Sequence, residues 1–282
     1  MATEDRLARL GGRRARSGIL ACVAVLAALA AAGCVGSSAT AQVIYLTPPP
    51  GPVTPLPSGV TPAPTIALPT PVIDSVVISS NAPDNSWTVT FKKPVVSGIS
   101  DAAATAMNNA ITDAVNGFVS AFTGGGLPAV ASGEGPSTLE GDFSIALDSP
   151  TLVSLRFTMV TFVTGAAHPA ETPGSLNFVV SSGAKINLTD LFTSPVAAVS
   201  TLSLMVHTQL SASLGTDLTW SGSAPSMTFF EKGWAMTPAG LEFTWAQGDI
   251  ASEAAGMPSV TLAWPAIKSI ILTSSPAGEL VK

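Results

Sequence analysis

Hydrophobic and polar positions alternate with a period of two in several short stretches and with a helical period in two longer ones. Ile73 to Ile78 and Trp87 to Phe91 alternate, which predicts two strands joined by the turn-rich Asn81-Ala82-Pro83-Asp84-Asn85. Ser100 then stands as an N-cap with Asp101 in the first turn. Ala103, Met107, Ala110, Ile111, Ala114, Val115, Phe118 and Phe122 follow on one helical face, and Gly124-Gly125-Gly126 ends the helix. Further strands are expected over Phe143 to Leu147 and Leu152 to Val163. In the second of these, Val153, Leu155, Phe157 and Met159 share one face, with Ser154, Arg156 and Thr158 on the other. Leu176 to Val180 and Lys185 to Leu188 pair around Ser181-Ser182-Gly183.

A second helix is expected from about Val196 to Leu214, carrying Val199, Leu202, Val206 and Leu210 inward. Leu241 to Trp245 and Ser259 to Trp264 read as the last strands, followed by a short helix from Ala266 to Leu272. Runs of strands punctuated by two long helices predict an α+β fold, a mainly antiparallel sheet with two long amphipathic helices packed on it.

The beginning of the chain has another character. Five arginines between Arg6 and Arg16 precede an apolar run from Gly18 to Ala32. As a helix that run spans ~22 Å, short of the ~30 Å hydrocarbon core, so a secretory signal over residues 1–33 is preferred to an uncleaved membrane anchor. Ala31-Ala32-Gly33-Cys34 resembles a bacterial lipobox, departing from it at Ala31, where Leu, Val or Ile is usual. Ala39-Thr40-Ala41 is a competing site for ordinary signal peptidase. Cysteine usage favours the lipobox: of the two cysteines, Cys22 lies inside the run and Cys34 at its end, where an acyl chain would be attached. An acylated Cys34 makes the membrane a partner through an N-terminal lipid. Residues 34–72 form a linker, with ten prolines in the 25 residues from Thr47 to Pro71. Such a run is an extended spacer reaching up to about 75 Å. Beyond it come a small N-terminal lobe, 73–130, and a larger α+β domain, 131–282.

Charge limits the partners. Of the chain's 282 residues only 11% are charged, and the net charge of −6 divides into +3 up to Gly33 and −9 beyond. An acidic body with scattered cations does not neutralise a run of phosphates, which excludes nucleic acid as an expected partner.

Three motifs carry a resemblance. Gly165-Ala-Ala-His168-Pro169, then Ser175-Leu-Asn-Phe178, then Ile186-Asn-Leu-Thr-Asp190-Leu-Phe192 resemble the bacterial extracytoplasmic domain named for the C-terminal part of the anti-sigma protein RsiV. The tail, with Ala239-Gly240-Leu241-Glu-Phe243 and Glu253-Ala-Ala-Gly256, is similar to secreted mycobacterial immunogenic proteins with that domain. Lys93-Pro94-Val-Val-Ser-Gly98 resembles the small domain found ahead of it, including in some peptidoglycan deacetylases. The resemblance implies an α+β fold outside the membrane and no single function. In RsiV this region binds lysozyme. The inhibition of a sigma factor is not implied here, because about 17 residues precede the apolar run, far below the ~40 of an independent domain.

Chemistry is sparse. His168 lies in a turn-prone loop near Glu171, a base with a candidate orienting acid. No G-x-S-x-G is present, so a turn histidine bonding to nearby backbone is preferred to a catalytic one. Two histidines, His168 and His207, without a usable cysteine or H-E-x-x-H predict no metal site and no cofactor. Asp190 fits the first turn of a short helical segment, and Arg156 a surface ion pair. Among the aromatics crowding the last third, Trp234 after Gly233 is the best candidate for an exposed ligand-binding ring, with a place in the core the preferred reading. The expected function is a non-enzymatic cell-envelope domain binding a cell-wall or extracellular protein ligand. The alternatives are a secreted esterase using His168 and a structural envelope protein.

Overall fold

The computed structural model describes residues 68–130 and 133–282. The export signal, Cys34, Ala41 and the greater part of the proline-rich linker lie outside the described residues. Residues 63–282 cluster as one unit.

Strand β1, Val72–Asn81, turns back into β2, Trp87–Ser97, as an antiparallel hairpin in unbroken register. Asn85 at the turn holds φ +56°, a left-handed conformation that Asn accepts more readily than most residues. Helix α1, Asp101–Thr123, follows, its N-terminus capped by Ser100 Oγ, which accepts from the Ala103 amide (3.4 Å). β3, Ser137–Asp148, pairs in parallel with β2. That pairing takes strands from both sides of residue 130, so one sheet spans the two expected lobes. β4, Leu152–Phe162, β5, Ala170–Val179, and the two-residue β6, Ala184–Lys185, complete a six-stranded sheet in chain order, antiparallel except at β2–β3.

The expected inward face of β4 is buried against α1: Val153, Leu155, Phe157 and Met159 join Met107, Ile111 and Val115 in one apolar core. Two glycines make room for its aromatic rings. A Cβ on Gly141 would run into the ring of Phe91, and one on Gly174 into that of Phe118. The rings of Phe91, Phe118 and Phe157 meet over these positions, with centroids 5.7–6.2 Å apart.

The second half differs from a helix on the same sheet. After helix α2, Pro195–Leu214, and the short α3, Thr228–Glu231, a separate three-stranded antiparallel sheet forms from β7, Trp234–Met236, β8, Gly240–Thr244, and β9, Ser259–Ala263. A short helix, α4, Trp264–Ile267, follows where a helix from Ala266 to Leu272 was expected. Leu202, Val206 and Leu210 of α2 share a second core with Met236, Leu241, Phe243 and Leu262 of this smaller sheet. The fold is thus mixed α and β with a mainly antiparallel large sheet, α1 lying on that sheet and α2 on the smaller one. Among the described residues no helix is long and apolar enough to cross a membrane.

Candidate functional site

The polar side of β4 is covered by the smaller sheet. Ser154 and Asn177, opposite each other on β4 and β5, are fully buried. Ser154 Oγ donates to Asn177 Oδ1 (2.5 Å) and accepts from the Met236 amide (3.1 Å), while Asn177 Nδ2 donates to the Trp234 carbonyl (3.2 Å). One register step along, Arg156 Nη2 donates to Glu242 Oε2 of β8 (2.6 Å), and its Nε lies 2.5 Å from Oε1. The pair is half-buried between the sheets, where such a contact fixes position more than it adds stability.

This docking places Trp234 in the core, the preferred of its two readings. Gly233 sits so close to Pro173 and the Thr244 carbonyl that no Cβ fits, which draws β7 down onto the large sheet. Trp234 is only 5% exposed, part of the second core rather than an open ligand-binding ring.

His168 is exposed in the loop between β4 and β5, and its acid is not Glu171. Its Nε2 lies 3.0 Å from Glu253 Oε2, on the connection between β8 and β9, and its Nδ1 donates to the Pro169 carbonyl (3.0 Å). Both bonds favour the imidazolium, the Pro169 carbonyl first and the Glu253 carboxylate next, and they raise the His168 pKa above its ordinary value. Glu171 is committed to the β5 ladder opposite Val160. Its carbonyl accepts from the Gln247 amide (3.0 Å), and its own amide donates to Gln247 Oε1 (3.3 Å). His168 and Glu253 thus tie together two loops at one end of the molecule.

His207 lies on α2 with its ring edge-on to Trp220 and its Nδ1 3.4 Å from Ser211 Oγ. Asp190 Oδ2 accepts from the Asn187 amide (3.2 Å) in a 3₁₀ turn over Leu188–Leu191. Among the described residues no three His, Cys, Asp or Glu side chains converge to hold a metal ion.

A cavity of about 580 Å³ opens elsewhere, where the ends of several elements meet. Leu68 and Pro69 ahead of β1, Ile99 before α1, Leu152 at the start of β4 and Val179–Val180 at the end of β5 give it predominantly apolar walls. The C-terminal stretch from Thr273 closes the other side. There Ser275, 8% exposed, opens a 3₁₀ turn over Pro276–Glu279. Its amide donates to the Leu272 carbonyl (2.9 Å), and its carbonyl accepts from the Gly278 amide (2.9 Å). Among the described residues its buried Oγ has no hydrogen-bond partner. Glu279 is held by the Thr151 hydroxyl, which leaves Lys282 as the exposed cation of the rim. A mostly apolar cavity with a rim cation suits an apolar ligand with an acidic group. Sequence reasoning pointed to none of these residues, because the cavity is assembled from five separated chain segments.

No family model matches the sequence, and no curated protein matches it. Two solved structures share the fold. A member of the DUF3298 family from Bacteroides fragilis superposes with a TM-score of 0.51 at 15% identity, over 76% of this chain and 98% of that one. A DUF3298 family protein from Pseudomonas aeruginosa gives 0.50 at 11% identity, over 71% and 94%. The fold is therefore the one seen in these proteins, a domain without a characterised function.

Proposed function

We propose that the chain is an exported cell-envelope protein, anchored through lipid on Cys34, whose folded unit binds a ligand outside the membrane without transforming it. The observation that carries the binding reading is the 580 Å³ cavity with predominantly apolar walls and Lys282 at its rim. Against an esterase stands His168, whose two ring nitrogens are engaged by Pro169 and Glu253 and which, among the described residues, has no hydrogen bond to a serine. The apolar run, the lipobox-like Cys34, the proline-rich spacer and the resemblance to the RsiV-type domain support the extracytoplasmic setting.

Anilinonaphthalene sulfonate, an apolar probe with one anionic group, tests the cavity. Titrated into the full chain it is expected to show one saturable site that Ser274→Trp, a change at an exposed residue of the wall, abolishes. Ser275→Ala is expected to leave probe binding unchanged and the free protein as stable as before or up to ~1 kcal/mol more stable. Probe binding unchanged by Ser274→Trp, or turnover of short-chain nitrophenyl esters that His168→Ala removes, would overturn the reading.

A further inference from the structure

The two edges of the large sheet are guarded differently. β6 ends it after two residues, a length that offers little to an incoming strand. The opposite edge, β1, is ten residues long, and its ladder to β2 runs from Val72↔Ser97 to Asn81↔Thr88 without a break. Among the described residues nothing pairs with its outer side. The usual protections of an edge are absent: β1 has no lysine, no proline and no bulge, and its one charge is Asp74. Val72, Val76 and Val77 are 51%, 43% and 62% exposed, a concentration of apolar surface on a strand whose outward amides and carbonyls have no partner among the described residues. What satisfies such an edge is another extended backbone.

We infer that β1 is a self-association strand, pairing antiparallel with β1 of a second copy of this chain about a two-fold axis at Val77. In that register Val77 of one copy lies opposite Val77 of the other, and Val76 of each faces Ile78. Ser75 faces Ser79, and Asp74 faces Ser80, so the single charge of the strand never meets its own kind. Registers centred on Asp74 oppose two carboxylates and are disfavoured. Each copy spends its one long free edge on the pair, so the symmetry closes at a dimer and does not propagate. Paired strands alone bury less than the ~1,200 Å² of a standard interface, so the dimer is weak and depends on concentration.

Sedimentation velocity of the purified full chain in detergent, under reducing conditions, reads this directly. The expected result is a shift from monomer to dimer as concentration rises through the micromolar range. Val77→Lys, at an exposed position, is expected to remain monomeric with an unchanged melting midpoint. Amide exchange over residues 75–79 is expected to slow in the unaltered chain as the dimer forms. A monomer at every concentration overturns the inference, and so does association that Val77→Lys leaves intact or that protects amides elsewhere than on β1.

Discussion

Phe157→Ala is expected to lower stability by ~3–5 kcal/mol, the range for deleting a large aromatic side chain from a core that does not collapse to fill the space. The ring is 1% exposed and lies between those of Phe91 and Phe118, over strands whose glycines were needed to admit these rings. The surroundings cannot simply close in, because α1 is held at its start by Ser100 and against β2 by Asn108, which bonds both the amide and the carbonyl of Val96. Urea denaturation checks the value: the midpoint falls while the slope stays constant. An unchanged midpoint would mean that the faces of β4 are inverted.

Asn177→Ala is expected to cost about 2–4 kcal/mol by a different route, since it removes hydrogen bonds more than volume. The Trp234 carbonyl loses its bond from Nδ2, and the Ser154 hydroxyl loses its acceptor, both in a place that water does not reach. The damage is expected to fall on the smaller sheet. Amide exchange should therefore accelerate in β7 and β8 before it does in β3 or β4. Equal acceleration across both sheets would contradict a docking role for this residue.

These two residues mark what was and was not legible in the sequence. Phe157 sits in a clean alternation, and period-two patterning assigned it to the core without help from the rest of the chain. The helix boundaries were similarly local: Ser100, Gly124 and the spacing of apolar residues between them carry their own information. Ser154 was read as part of the polar side of its strand. Polarity does not distinguish a residue facing water from one that supplies hydrogen bonds to a second sheet, so the docking of β7 was hidden. β7 itself, at three residues, is too short for any periodicity to show. Trp234 could be offered as an exposed ring for the same reason, because its burial comes from the Gly233–Pro173 contact across the fold. The parallel pairing of β2 with β3 likewise depends on how α1 crosses the sheet.

The site was the least legible part. Loop position gave His168, but its carboxylate partner came from Glu253 near the end of the chain, on a connection that only the second sheet brings alongside. The Ser275 hydroxyl is conspicuous only once its backbone bonds and its burial are both known. In sequence it is one serine among many.

The whole account rests on the folded unit working outside the membrane, and labelling with a membrane-impermeant maleimide tests that most directly. Ser182 lies exposed in the turn between β5 and β6, so Ser182→Cys introduces a reachable thiol without touching either core. In intact cells the substituted chain is predicted to be labelled and the unaltered chain not, its Cys34 being acylated. Labelling that occurs only after the cells are broken open would contradict it.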